Sequence, residues 1–322
     1  MKTERVSLRL MSIRRTFVGQ ILVRRLVVIL IVAALAPLII LSSISCSPSH
    51  SDRIVIGSKN FTESLILAEL MAQVIEANTK LKVERRFYLA GTYICHQAVL
   101  AGRIDIYPEY TGTALTTILK QNAAGDEPAV YQRVKSEYER RFGLTLSPGF
   151  GFNDTFAMEI RGDDARRLNI HTLSQTAPFA AHWRAGFGYE FMERPDGYRG
   201  LASTYGLHFA EQPRVMDLGL LARALWDHQI DLAAGNATDG LIPALDLFVL
   251  EDDRHYFPPY EAVAVIREQS IQNHPEIEQA LALLGGKISD VEMRQLNYAV
   301  DGQHRDVVEV AREFLHSKGL AP

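Results

Sequence analysis

The chain has 322 residues, of which 47% are hydrophobic and 22% charged. This length and composition suit a globular protein with two domains rather than a disordered chain. Residues 1–46 carry seven of the 34 basic residues and one of the 38 acidic ones, which leaves 27 basic and 37 acidic residues in the remainder, a net charge of −10. A body this acidic lacks the positive surface that nucleic acid requires, so nucleic-acid binding is excluded.

The N-terminal segment has the pattern of an export signal. A basic start leads into an apolar run and then into small residues, LVVILIVAALAPLIIL at residues 26–41 followed by SSISC. That order is typical of export signals, and the run is shorter than the ~20 residues of a membrane-spanning helix. An uncleaved membrane anchor is the alternative. We therefore expect residues 1–52 to be signal and linker, and the protein to lie in the periplasm or on the outer face of the cytoplasmic membrane.

A lipid anchor is also indicated at the end of this segment. The stretch LSSISC resembles a bacterial lipoprotein signal, in which the cysteine becomes the lipidated N-terminus, so Cys46 is the lipidation candidate. Ser43 departs from that pattern. Cys95 is the other cysteine of the chain, and it is predicted to be a small buried hydrophobe.

Strands and helices alternate from residue 53 onwards, which predicts an α/β fold. RIVIGSKN at 53–60 reads as a buried strand, and residues 61–78 follow with the apolar period of a helix. Asn60 and Glu63 form a candidate capping box at the start of that helix. Lys59 then lies in a strand-to-helix turn, where ligands bind in open α/β sheets.

Two stretches of the chain echo one another. LARALWDHQIDLAAGNATDG at 221–240 repeats the order of QAVLAGRIDIYPEYTG at 97–112, and each reads as a helix, a strand beginning with "ID" and a small polar turn. The echo predicts two similarly built α/β lobes. Asp105 and Asp231, inside the repeated strands, are interpreted as structural acids and not as catalysts.

The stretch RIDIYPEYTGTAL at 103–115 concentrates aromatic and hydroxyl groups where a strand is expected to end. Pro108 is expected to terminate the strand, because the residue before a proline favours an extended backbone. Tyr110 would then stand beyond the strand end, with Thr113 three residues later. A tyrosine in that position offers a ring face to a cation.

Six blocks of sequence, in one order, resemble the substrate-binding proteins of bacterial ABC importers for glycine betaine, choline and related osmoprotectants. The resemblance spans residues 53–318 and is carried by IVIGSKNFTES, IDIYPEYTGTAL, GFNDTFAM, EFMERPDGY, LEDDRHYFPPYEA and GKISDVEMRQLNY. It implies a two-lobed, flytrap-like fold with a ligand cleft between the lobes. The first lobe is expected at 53–153 plus 258–322 and the second at 154–257.

The resemblance also implies a cage for the ligand's quaternary ammonium group. Its members fall on Tyr110, on the backbone carbonyl of Asp154, on Phe156 and on Tyr260. Asn236 stands where betaine binders carry another cage tyrosine. Phe156 keeps the ring face that attracts a cation, whereas Asn236 removes one wall. The alternative is therefore the same fold with a different ligand, a polar cation or an amino-acid betaine.

The ligand's carboxylate is expected to meet three donors. The resemblance assigns these to Lys59, Thr113 and Arg194, which would act as a point charge, a hydroxyl and a planar fork. The implied partners are a small quaternary-ammonium ligand and a membrane permease with its ATPase. We expect a monomer that needs no cofactor.

Two other classes of site are disfavoured. The acidic cluster Glu251, Asp252, Asp253 and His255 lacks the spacing of metal ligands and is interpreted as solvated surface or hinge charge. An envelope hydrolase, the enzymatic alternative, would need a nucleophile and base, and the motifs G-x-S-x-G and H-E-x-x-H do not occur. We therefore expect a binding protein and not an enzyme.

Overall fold

A computed structural model describes residues 52–121 and 126–321 of the protein. The predicted export signal and the lipidation candidate Cys46 lie outside these residues, so both stay predictions. Within the described ranges, no helix combines the length and apolar character needed to cross a membrane.

The described chain builds two five-stranded sheets. The first has the strand order β2-β1-β3-β10-β4 and the second the order β7-β6-β8-β5-β9. The strands are β1 (Arg53–Lys59), β2 (Lys82–Ala90), β3 (Ile106–Tyr110), β4 (Leu144–Leu146), β5 (Phe156–Arg161), β6 (Ala185–Phe187), β7 (Arg214–Val215), β8 (Leu232–Asn236), β9 (Leu247–Leu250) and β10 (Ala262–Arg267).

The two sheets share one pairing pattern. In each, the first three strands of the sheet order run parallel, and the fourth is antiparallel to its neighbours on both sides. The chain crosses from the first sheet to the second between β4 and β5 and returns between β9 and β10. The predicted α/β architecture with two similar lobes is thereby confirmed. We call the half built on the first sheet the first lobe, and the half built on the second sheet the second lobe.

Helices cover both sheets. They are α1 (Thr62–Asn78), α2 (Thr92–Leu100), α3 (Thr111–Thr113, continued by a π-helical turn at Ala114–Ile118), α4 (Glu127–Phe142), α5 (Gly162–Leu168), α6 (Ala177–Ala180, preceded by a 3₁₀ turn at Leu173–Thr176), α7 (Tyr189–Glu193), α8 (Tyr198–Tyr205), α9 (Leu218–Trp226), α10 (Leu241–Ala244), α11 (Glu268–Asn273), α12 (Glu276–Ala282), α13 (Asp290–Asp301) and α14 (Val307–Ser317).

Each sheet buries apolar side chains on both of its faces. Alternation along β10 shows this directly, because Ala262, Ala264 and Ile266 join one hydrophobic cluster and Val263 and Val265 join another. The helix α1 lies within the first of these clusters, against α12, α13 and α14. The apolar residues of its predicted helical period are buried, namely Ile66, Leu67, Leu70, Met71, Val74 and Ile75, and Lys59 ends β1 shortly before this helix begins.

The repeated "ID" pattern has the same structural role in both lobes. Asp105 accepts a hydrogen bond from the Val55 amide at 2.8 Å and donates its own amide to the Val55 carbonyl. Asp231 does the same with Arg184, accepting from its amide at 3.0 Å. Each acid thus lies at the start of a central strand and hydrogen-bonds it to the parallel neighbour. The interpretation of these residues as structural acids is confirmed.

The expectation that Pro108 ends its strand is wrong. Strand β3 continues through Pro108 to Tyr110 and pairs with β10 along this whole length. Its other neighbour, β1, pairs with it only at Ile106. Beyond that point β3 has a ladder on one side only, which is a position where proline is tolerated because its missing N–H costs little.

Candidate functional site

All eight residues predicted for the ligand site line one cavity of about 250 Å³ between the two lobes. They are Lys59, Tyr110, Thr113, Asp154, Phe156, Arg194, Asn236 and Tyr260. Their common location follows from the topology. Lys59, Tyr110 and Asn236 are the last residues of β1, β3 and β8, while Phe156 begins β5, which runs antiparallel to β8. The structure thus gathers these side chains at one edge of each sheet; their roles as ligand contacts stay predictions.

Arg194 lines the cavity and is buried. Its Nε and Nη2 donate to the two carboxylate oxygens of Asp196 at 2.9 and 2.5 Å, and its Nη1 donates to Thr113 Oγ1 at 3.0 Å. These bonds engage three of the five N–H groups of a guanidinium, which leaves two for a further acceptor. The guanidinium carbon also lies 5.0 Å from the Phe156 ring centroid and 5.7 Å from that of Tyr260. These contacts hold the Arg194 guanidinium in one orientation within the protein.

Asp196 is a site residue that the sequence analysis missed. Besides Arg194, it accepts hydrogen bonds from the Tyr260 hydroxyl at 2.5 Å and from the Thr116 hydroxyl at 3.0 Å. Burial would raise the pKa of the Asp196 carboxyl, but the hydrogen bonds and charge of Arg194 outweigh it and hold that pKa below its ordinary value. The only signal in the sequence was its place two residues after Arg194 in the ERPDG stretch.

Lys59 forms a second buried ion pair in the cavity. Its Nζ donates to Glu109, and the same Glu109 oxygen accepts from the Tyr110 amide at 2.9 Å. The Lys59 Nζ also lies 4.9 Å from the Tyr110 ring centroid. Glu109, a second residue that the sequence analysis missed, thus compensates the charge of the lysine within the protein.

The cavity has a largely aromatic wall. The Phe156 and Tyr260 rings lie 5.6 Å apart at 80°, an edge-to-face arrangement, and Phe156 also contacts Phe191 at 4.8 Å. On the other side Tyr110 stacks on Phe61 at 6.4 Å. Phe61 and Phe191 also line the cavity, although the sequence analysis did not identify them. Rings from both lobes thus enclose the space beside Arg194 and Lys59.

The prediction that Glu63 belongs to a capping box is wrong. Phe61 occupies the N-cap of α1 and makes no side-chain capping bond. Glu63 instead accepts a hydrogen bond from the Tyr110 hydroxyl at 2.7 Å and one from Asn297 Nδ2 at 2.8 Å. The reason is that the tertiary contacts of the buried carboxylate outweigh a local capping bond at the helix end.

A buried pair of carboxyl groups stands behind Tyr110. The Thr238 hydroxyl contacts both Glu63 and Asp154, the latter at 2.8 Å. A hydroxyl has one hydrogen, so it can donate to only one of the two, and the other carboxyl must supply the second hydrogen. In agreement, burial raises the pKa of both Glu63 and Asp154. The side chain of Asp154 is thereby tied to Thr238, while the role predicted for its backbone carbonyl stays a prediction.

The acidic cluster at 251–255 shapes a loop of the second lobe. Asp252 accepts hydrogen bonds from the Tyr205 hydroxyl and from the amides of Tyr256 and Phe257. These bonds set the course of the chain towards Tyr260. Across the part of the chain that the structure describes, no group of His, Cys, Asp or Glu residues is arranged to hold a metal ion.

Comparison with known proteins gives matches along nearly the whole described chain. Residues 52–317 match the family model for the substrate-binding domain of ABC-type glycine betaine transport systems. The carnitine transport binding protein OpuCC of Listeria monocytogenes is 38% identical over 83% of this chain and 87% of its own length. The ergothioneine transport permease/ergothioneine binding protein EgtU of Helicobacter pylori is 34% identical over 83% of this chain and 48% of its own length.

Solved structures give the same fold. A glycine betaine/carnitine/choline ABC transporter structure aligns with a TM-score of 0.70 and 33% identity, and the alignment covers 83% of this chain and 99% of that one.

Proposed function

The chain belongs to the family of substrate-binding domains of ABC-type glycine betaine transport systems, and from this premise we propose that it binds a small quaternary-ammonium compound and delivers it to a membrane permease. The family is one of extracytoplasmic transport proteins. The predicted signal at residues 1–52 and lipidation at Cys46 would place this chain in the periplasm or on the outer face of the cytoplasmic membrane. It would work there as a monomer with a permease and its ATPase.

One observation carries the proposal: aromatic rings and fixed cations line the same small cavity. A trimethylammonium group has no N–H to donate, so hydrogen-bond acceptors cannot hold it, whereas the faces of aromatic rings attract it. Tyr110, Phe156 and Tyr260 offer such faces. A carboxylate instead needs donors, which Lys59 and Arg194 supply.

The aromatic rings and the carboxylate donors of the site lie close enough together to suit a small zwitterion. In glycine betaine a single methylene separates the ammonium group from the carboxylate. The guanidinium carbon of Arg194 lies 5.0 and 5.7 Å from the ring centroids of Phe156 and Tyr260, so the donor and two rings of the cage are close together. Hydrogen bonds to Asp196 and Thr113 hold the fork in this place, which lowers the entropic cost of binding.

Contacts across the cleft would couple binding to closure of the lobes. Arg194 and Asp196 of the second lobe bond to Thr113, Thr116 and Tyr260 on the first. A ligand held by the same groups gains contacts to both lobes only when they are together, and this difference in affinity is what drives closure. We propose lobe boundaries at 53–153 plus 258–322 and at 154–257, and recognition of the closed form by the permease.

The protein would carry out no chemistry on its ligand. The proposed roles of the eight site residues are attraction and hydrogen bonding, and the family consists of transport substrate-binding proteins. A ligand recovered unchanged after prolonged incubation supports this. Hydrolysis or any other turnover would contradict it and favour an envelope hydrolase.

Calorimetry tests the proposed function. Glycine betaine, choline and carnitine are titrated into the wild type and into Tyr260→Ala and Arg194→Ala. Each variant should bind glycine betaine and carnitine, the two compounds that carry a carboxylate, at least about 10-fold more weakly, because it loses a cation–π wall or the carboxylate fork. Tyr93→Ala and Arg140→Ala are matched controls, since both residues are exposed and lie outside the cavity. Absence of heat with all three compounds, or wild-type affinity in both variants, would refute the assignment.

A further inference from the structure

Two carboxyl groups from different parts of the cleft meet at one hydroxyl. Glu63 lies on α1 of the first lobe, and Asp154 lies on the segment that crosses from β4 to β5 of the second lobe. Thr238 follows β8 of the second lobe, and its hydroxyl contacts both Glu63 and Asp154, the latter at 2.8 Å. The Thr238 amide also donates to Asp154, at 3.3 Å. Asp154 is thus tied to the second lobe, and its meeting with Glu63 takes place across the lobes.

The donors around each acid indicate which of the two is ionised. Glu63 Oε1 accepts from the Tyr110 hydroxyl at 2.7 Å, and Glu63 Oε2 accepts from Asn297 Nδ2 at 2.8 Å. Both of these donors belong to the first lobe, and they are in addition to the shared hydroxyl. Because a carboxylate is stabilised by donors, Glu63 is the ionised member, and Asp154 supplies the second hydrogen that the shared hydroxyl needs.

A second negative charge in this place would have no cation to compensate it. Among the described residues, the cations of the surrounding elements have other partners, namely Lys59 with Glu109, Arg194 with Asp196 and Arg294 with the Ala237 carbonyl. The other acids of these elements carry the same charge as the pair, namely Glu159, Asp239 and Asp301. Burial and the charge of Glu63 accordingly raise the pKa of Asp154 well above its ordinary value.

We propose that Glu63 and Asp154 share one proton only when the lobes are together, so that ligand binding takes up a proton and weakens as the pH rises. This inference rests on the proposed function, because it requires that the ligand closes the lobes. When the lobes separate, Asp154 and Thr238 leave Glu63, and the two hydrated carboxyl groups ionise independently. Glu63 is a positioning residue here, since it acts through the hydroxyl of Tyr110 and through closure.

The direction of the pH effect follows from the form that binds the proton. Well below the ordinary carboxyl pKa of about 4, Asp154 is protonated in both forms, and closure exchanges no proton. At higher pH the open form has released this proton, whereas the closed form keeps it up to the raised pKa of Asp154. Binding takes up as much as one proton in this window, and the affinity falls as the pH rises through it.

Calorimetry in two buffers counts the proton. Glycine betaine, choline and carnitine are suitable probes, because none of them changes its protonation appreciably between pH 5 and pH 7. Each is titrated into the wild type at pH 6 in phosphate and in Bis-Tris, which differ in their enthalpy of ionisation. The difference in heat should correspond to the uptake of at least about 0.5 proton per ligand, and the affinity should fall about 10-fold from pH 5 to pH 7. Equal heats in the two buffers would overturn the inference.

Variants then locate the proton. Glu63→Gln and Asp154→Asn each remove one titrating group at nearly constant size, and each should lower the proton uptake by at least about half and flatten the pH profile. Asp239→Asn is the matched control. Asp239 is a buried acid of the second lobe whose pKa burial raises to about 6, but it accepts from the nearby Leu241 amide and not from the shared hydroxyl. This variant should keep the wild-type uptake.

An uptake that survives in both variants of the pair, or that is lost in Asp239→Asn, would assign the proton to another group and refute the proposal. The proton count of the wild type decides whether closure is linked to protonation even where a variant fails to fold. The two proposals also fail in different ways. If none of the three compounds gives heat, the proposed function is wrong and this inference falls with it. If a compound binds with equal heats in both buffers, the proposed function stands and only the shared proton is lost.

Discussion

The carboxylate of Asp196 joins three side chains that belong to different parts of the cleft. It receives both Nε and Nη2 of Arg194, the hydroxyl of Tyr260 and the hydroxyl of Thr116. The side chains of Arg194 and Asp196 are almost fully buried, each with 6% of its surface exposed. Asp196 therefore compensates the charge of Arg194 within the protein and sets the orientation of its guanidinium.

Asp196→Asn should weaken ligand binding by more than about 10-fold and destabilise the protein by about 3 kcal/mol, because it leaves a buried guanidinium charge unpaired. Calorimetry and denaturant unfolding measure the two effects. Thr116→Val is the matched control, as it removes a hydroxyl that contacts both this carboxylate and the Gly112 carbonyl, and keeps the ion pair. Binding at the wild-type level in Asp196→Asn would show that the fork does not depend on this acid.

Some residues of the site could be predicted from the sequence, whereas the contacts of its buried acids could not. Lys59, Tyr110 and Arg194 were identified because short motifs surround them, whereas the role of Glu63 was assigned wrongly. Its contact with Thr238 joins residues 175 positions apart, and the Lys59–Glu109 pair joins residues 50 apart. Local periodicity carries no information about such partners, since they meet only after the two sheets form.

A helix end in the first lobe is bonded to a helix of the second. Glu190 of α7 accepts a hydrogen bond at 2.7 Å from the amide of Thr92, the first residue of α2. The amides of a first helical turn have no partner within their own helix, and a negative charge there is stabilising. Gly91 permits the close approach, because a Cβ at this position would lie 1.9 Å from Glu190 Oε1. Glu190 and α2 thus form a contact that depends on the lobes being together.

Glu190→Ala should weaken ligand binding by about 3- to 10-fold, because closure loses one charged hydrogen bond between the lobes. Glu193→Ala is the control on the same helix, as Glu193 is exposed. Gly91 and Glu190 both line the cavity, and Gly91→Ala tests the same contact from the other lobe by forcing Glu190 away. Calorimetry should show a similar loss in both variants; an unchanged affinity in Gly91→Ala would show that the helix contact does not govern closure.

The helices and strands were largely predictable, and the exceptions have physical reasons. The apolar rows of α1 and the repeated helix and "ID" strand reflect local periodicity, which the sequence displays directly. The course of β3 through Pro108 depends on where its neighbour β1 stops pairing, which is a tertiary feature. The same applies to the sheet order, in which β10 and β5 insert between strands far from them in the chain.

Taken together, the protein places many acids in its interior. Burial raises the pKa of Glu63, Asp154, Glu159 and Asp239 in the folded state. A carboxyl with a raised pKa keeps its proton in the folded state after the unfolded chain has released its own. The free energy of unfolding therefore falls as pH rises from the ordinary pKa of about 4 towards the raised one. We expect the protein to be more stable in mildly acidic than in alkaline solution.

Glu159 is the sharpest test of this pH dependence. It is fully buried in β5, and neither of its carboxyl oxygens has a hydrogen-bond partner among the described residues. Burial raises the pKa of Glu159 well above its ordinary value, and the negative charges of Asp239 and Asp154 add to that shift. No described cation compensates its charge, so ionisation in the folded state is strongly unfavourable.

Glu159→Gln should therefore flatten the pH dependence of stability and make the protein more stable at pH 8, while changing it little near pH 4. In the wild type, Glu159 should lower the free energy of unfolding by about 1.4 kcal/mol per pH unit. This slope applies over the pH range in which the Glu159 carboxyl is protonated in the folded state and ionised in the unfolded chain. Urea unfolding at pH 5, 6.5 and 8 measures the slopes, with Glu278→Gln on the exposed face of α12 as the control. Parallel slopes in wild type and Glu159→Gln would mean that Glu159 is ionised in the fold, and that a compensating group reaches it.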